Sequence, residues 1–239
     1  MGFLGNNPPV AAMTLRVLAR LLSYPDATLR RHLPELRQVL KEESALSTAR
    51  LAELEDLMIW MTGTGATADA LGIEEAYVDL FDRGRATSLH LFEHVHGDSR
   101  DRGPAMIDLA QTFEKAGLFL APGEMPDYLP VVLEYTSTQP PKDARAFLNE
   151  MAHIFNAVFA ALVQRDTRYA SVLGALLELA GEKAKPVKVS PEESIDESWE
   201  EPVVFGGCST KGQANPSQPQ PIHIVRSSTS KTVVSGVSV

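Results

Sequence analysis

Apolar residues recur at three- and four-residue intervals from residue 10 to residue 183, with polar residues between them. That spacing predicts helices, because 3.6 residues per turn brings positions i, i+3, i+4 and i+7 onto one face. The first helix runs from Val10 to Ser23, with Val17, Leu18, Leu21 and Leu22 inward and Arg16 and Arg20 on a solvated face. Tyr24-Pro25-Asp26 interrupts it, and Asp26 is placed to cap a second helix carrying Leu29, Leu33, Leu36 and Leu40. Pro34 lies inside that pattern, where it either kinks the helix or shifts its start. A third helix spans Ser47 to Met61 and ends at Gly63-Thr-Gly65; a fourth spans Thr67 to Phe81. Asp101-Arg-Gly-Pro104 reads as another start, with Met106, Leu109, Ala110 and Phe113 as the apolar face and Gly117 as the stop. After the turn Ala121 to Pro126, Asp127 is placed to cap a short helix through Glu134, with Pro130 in its first turn. The longest predicted helix, Lys142 to Arg165, carries the widest stripe, Phe147, Met151, Ile154, Phe155, Val158, Phe159 and Leu162, and reads as the central core helix. Arg168 to Lys183 is the last. No run of alternating strands and turns interrupts the series, so the fold class is all-α, a single bundle-like helical domain over residues 10–183.

Composition changes the picture at the two ends. Residues 1–9 are short and rich in Gly and Pro, a flexible N-terminus. Residues 184–239 lose the helical period and turn to Ser, Pro, Gly and Thr, which reads as a largely disordered tail. Trp199, Val203, Val204 and Phe205 are its exception, an apolar cluster that makes 197–206 a candidate docking segment. Of the formal charge of −9, the tail carries only −1. An acidic chain does not suit nucleic acid, which requires clustered Lys and Arg. Its one cysteine, Cys208, excludes an internal disulfide framework and a multi-cysteine metal site, and is read as an ordinary thiol. The sequence has no apolar run of membrane-spanning length and no signal-peptide pattern, so a cytoplasmic protein is expected.

The stretch Tyr77 to Met106, YVDLFDRGRATSLHLFEHVHGDSRDRGPAM, holds three of the six histidines among acids, arginines and bulky apolar residues. Core elements rarely carry so many ionisable groups and surface loops rarely need so much apolar bulk, so a half-buried groove wall is expected. His90-Leu-Phe-Glu93-His94 also matches H-x-x-E-H. On a helix, His90 and His94 would share a face and ligate one zinc, with Glu93 as general base. No third ligand is singled out by its spacing, and the plainer reading has the histidines hydrogen-bonding at a partly buried helix end. The carboxylates Asp79, Asp82, Glu93, Asp127 and Glu134 either meet basic residues of a partner or simply form a solvated face. The chain contains neither a phosphate-loop glycine motif nor a recognisable nucleophile motif.

The same stretch resembles the signature of the NarJ branch of the TorD/DmsD/NarJ redox-enzyme chaperones. Glu124-Met-Pro-Asp-Tyr-Leu-Pro-Val-Val-Leu-Glu-Tyr135 is similar to that family's second motif, and Glu197 to Gly206 (ESWEEPVVFG) to its C-terminal block. The likeness covers most of residues 10–206. It implies an all-helical chaperone that is not an enzyme and holds no cofactor or metal of its own. It further implies binding to the N-terminal segment of the apo catalytic (alpha) subunit of a respiratory nitrate reductase, which is thereby held ready for molybdenum cofactor insertion before membrane assembly. Cofactor delivery proteins are implied as further partners; nucleic acid and direct membrane insertion are not. A zinc-dependent hydrolase built on His90, Glu93 and His94 is the competing reading, and a plain helical scaffold a third. Both motif blocks mix carboxylates and aromatics with histidine or proline beyond what packing requires. They are expected to face each other across one peptide groove formed by Tyr77, Asp82, His90, Phe92, Glu93, His94, His96, Asp127, Tyr128, Leu129, Pro130 and Glu134. Phe92 and Tyr128 are expected to be partly exposed.

Overall fold

A computed structural model describes residues 12–64, 69–97 and 99–185, which fall within one compact unit spanning residues 1–192. The expectations for residues 1–9 and for the tail, including Cys208 and the 197–206 segment, lie outside the described residues, apart from the tail's first two positions, Ala184 and Lys185.

The described residues form an all-α domain of ten helices with no strand: α1 (Ala12–Leu21), α2 (Ala27–Glu43), α3 (Thr48–Met61), α4 (Ala70–Phe81), α5 (Leu91–Val95), α6 (Arg102–Lys115), α7 (Leu129–Ser137), α8 (Pro141–Glu150), α9 (Ala152–Gln164) and α10 (Ala170–Ala180). A single 3-10 turn, Arg85–Thr87, joins α4 to the segment before α5. Local chemistry sets many of the boundaries. The Asp26 carboxylate accepts from Leu29 N at 2.7 Å at the start of α2, as the sequence predicts. Ser47 caps α3 and Asp69 caps α4, which therefore starts at Ala70 rather than Thr67. Gly181 ends α10 at φ 83°, a left-handed conformation that costs glycine nothing. Pro34 does not break α2. It sits on the exposed side, while Leu29, Leu33 and Leu40 anchor the helix in the core before and after it.

The core is built around α10, not around the predicted helix of residues 142–165. Nine of the eleven residues of α10 are buried, and α9, α8 and α3 pack against it. The predicted long helix is two helices, α8 and α9, bent by 59° at Met151. The bend keeps one apolar stripe against the core on both sides of Met151. Ala144 and Leu148 of α8, and Ile154, Phe155, Val158 and Leu162 of α9, are all buried, which a straight rod against a short α10 would not allow. No single described helix is long and apolar enough to cross a membrane; the bent α8–α9 pair passes by length and composition alone.

On the other side of the core α1 packs against α2 and, most extensively, α7. α1 and α7 run antiparallel. Arg16 Nε donates to Ser137 Oγ at 3.0 Å near one end. At the other end the buried Tyr77 hydroxyl bonds both Leu22 O (2.8 Å) and the Tyr128 hydroxyl (3.1 Å). α6 buries a single side chain, Phe113, so most of its predicted apolar face stays partly open.

Candidate functional site

The two motif blocks meet through the backbone. His90 and Tyr128 form an isolated antiparallel bridge, with Leu91 N bonded to Asp127 O at 3.0 Å and Leu129 N to Leu89 O at 2.8 Å. Asp127 pins this junction. The sequence assigns its carboxylate to the start of α7, but α7 begins at Leu129 behind the N-cap residue Tyr128, makes no side-chain cap, and has Pro130, which lacks an N–H, in its first turn. The Asp127 carboxylate instead accepts from Phe92 N (3.2 Å) and from His90 Nδ1 (3.3 Å), with Arg102 Nη2 at 3.7 Å. It thus caps α5, whose own N-cap residue His90 supplies no side-chain acceptor. A buried carboxylate persists only when it is satisfied in this way.

The electrostatics follow from the pin. The hydrogen bond to Asp127 raises the His90 pKa, partial burial opposes that rise, and Glu93 adds to it while Arg102 opposes it. Burial raises the Tyr128 phenol, and burial with the Tyr128 neighbour raises Tyr77 further.

The residues expected in one groove divide between two depressions. One, of about 470 Å³, is lined by Asp82, His90 and Glu93 with Phe81, Arg83, Gly84, Arg85 and Ser88. The other, of about 590 Å³, lies between α1, α7 and the segment after α6; Tyr128, Pro130 and Glu134 line it, with Arg16, Arg20, Phe113, Phe119 and Tyr135 among the rest. His90, which lines the first, and Tyr128, which lines the second, hold their rings against each other, tilted by 34° with 5.4 Å between centroids. Tyr77, Asp127 and Leu129 are buried, Asp127 wholly so, and form the framework beneath. Phe92 and His96 line neither depression and pack edge to face on each other at 5.4 Å. Phe92 and Tyr128 are half-buried, as expected from the sequence.

The zinc geometry does not form. His90 precedes α5 rather than lying on it, so His90 and His94 do not share a helical face. His90 faces Asp127, while His94 Nε2 bonds Ser88 O at 2.8 Å. Among the described residues no cluster of three or more His, Cys, Asp or Glu is placed to hold a metal ion.

Sequence reasoning missed Arg16, Arg20 and Phe119 as lining residues. The exposed face that Arg16 and Arg20 share, as expected from the sequence, is also a groove wall. Leu118-Phe119-Leu120, three large apolar residues outside any periodic element, is the sequence signal for the strap that carries Phe119.

Fold and site together define the class: a helical domain whose motif-bearing residues join two helical segments and line open grooves between helices. The chain belongs to the nitrate reductase delta subunit family, whose model matches residues 25–173. It is 40% identical over 200 residues to the nitrate reductase molybdenum cofactor assembly chaperone NarJ of Escherichia coli (strain K12), covering 80% of this chain and 83% of that protein. It is 36% identical over 200 residues to the probable nitrate reductase molybdenum cofactor assembly chaperone NarW of the same strain, covering 80% and 82%. It is 28% identical over 165 residues to the probable NarJ chaperone of Bacillus subtilis (strain 168), covering 69% and 86%.

Proposed function

We propose that this protein is a cytoplasmic, non-enzymatic assembly chaperone for a nitrate reductase. It binds the N-terminal segment of the apo catalytic subunit and holds that subunit competent for molybdenum cofactor insertion before membrane assembly. The relatives' names supply the client class. The observation that carries the peptide-binding part is the groove of about 590 Å³, which the second motif block enters with Tyr128, Pro130 and Glu134. Its apolar floor supplies affinity, and its charged rim supplies register and capture rate.

Titration calorimetry with a synthetic peptide from the N-terminus of the cognate catalytic subunit tests this. The full chain is expected to bind one peptide. Tyr128→Ala, checked for native helicity, is expected to lose about 2 kcal/mol, chiefly through faster dissociation. A folded chain that ignores the peptide removes this reading.

A further inference from the structure

The 590 Å³ groove has a direction. Its Arg16 end lies beside Ser137 and Thr138, at the C-terminal end of α7. At the opposite end, Glu124 closes a turn onto Ala121 O (3.0 Å) just before the turn that leads to Tyr128, near the last residues of α1. Arg16, Arg20, Glu124 and Glu134 take part in no ion pair among the described residues. The groove therefore offers a cationic end and an anionic end, with Arg20 and Glu134 between them offsetting each other in sign.

The groove's walls also select a conformation for its occupant. The lining positions Arg16, Arg20 and Ser23 on α1, and Val131, Glu134, Tyr135 and Thr138 on α7, follow single helix faces for about two turns, roughly 10 Å. An extended peptide would need backbone partners, and these walls present no strand edge among the described residues. A helix satisfies its own backbone and presents an apolar stripe. Its first turn carries partial positive charge and its last turn partial negative charge.

The third wall is a strap after α6, bounded by Gly117 (φ 80°) and Gly123 (φ 90°), both in the left-handed region that glycine adopts without strain. Phe119 stands on this strap, 80% exposed, while Leu118 and Leu120 beside it are half-buried. So large an exposed ring at the rim of an apolar groove is a binding feature rather than core.

We infer that the client segment docks here as an amphipathic helix, its N-terminus at the Glu124 end and its C-terminus at the Arg16 end, with Phe119 covering its apolar stripe. This rests on the chaperone reading above. The Cys208→Ser chain, spin-labelled at Thr138→Cys, is mixed with client peptide labelled at its first or its last residue, and the label-to-label distances are compared. The last-residue label is expected to be the nearer; the reverse order overturns the orientation. Phe119→Ser is expected to speed peptide dissociation about tenfold, with an unchanged melting midpoint because the ring is not core. Unchanged dissociation overturns the covering role. Failure of the unaltered chain to bind overturns both readings, whereas binding with the wrong polarity or without a Phe119 effect overturns this one alone.

Discussion

At the residue scale, Asp127 shows how one buried carboxylate can hold two distant parts of a chain in register. Its partners are a backbone N–H, an imidazole and a guanidinium from the other motif block. Asp127→Ala leaves the Phe92 N–H and the His90 ring without their acceptor, so a loss of about 1–3 kcal/mol is expected in denaturant unfolding. The pair also predicts a pH dependence. The His90 pKa is raised in the folded state, so its contribution is fully present below the unfolded value of about 6.5. That contribution is lost as pH rises through the folded pKa. A series of urea midpoints should show this component falling as pH increases above about 6.5, and His90→Gln should remove it. A midpoint difference between the parent and His90→Gln that stays constant with pH would count against the pair.

At the element scale, Gly84 sets the tight passage from α4 into the 3-10 turn. A Cβ there would lie 2.6 Å from Leu80 O and against the Thr87 hydroxyl. The backbone carbonyl cannot move aside as a flexible side chain would, so Gly84→Ala is expected to cost about 1–3 kcal/mol of stability, read from the denaturation midpoint. A glycine three residues after Phe81 reads in sequence as a helix stop, but the close approach that demands it has no local signature. The α8–α9 bend was equally hidden, because Asn149-Glu150-Met151 contains neither glycine nor proline. A continuous stripe is compatible with a straight helix and with a bent one, and only the size of the core distinguishes them.

At the scale of the whole molecule, motif and geometry part company over metal. H-x-x-E-H presupposes one helix carrying both histidines, and the chain instead starts α5 after His90. The full chain is expected to purify without stoichiometric zinc, and chelator treatment is expected to leave its melting temperature unchanged. About one retained zinc per chain, with a melting point that drops on chelation, would reopen the hydrolase reading.

The sequence by itself determined the helical class, nearly every helix, the Asp26 cap and the two blocks that carry the chemistry. These follow from local period and capping, which act over a few residues. It also placed Phe92 and Tyr128 at partial exposure from their mixed surroundings. Only the tertiary structure decided that α10 is the centre, that the 142–165 stripe bends around it, and that Asp127 caps α5 rather than α7. It alone divided the expected groove in two and made Arg16, Arg20 and Phe119 its walls. Each of these depends on contacts between segments far apart in the chain. Packing selects among arrangements that the same local pattern permits equally well, so no short window of sequence carries the answer.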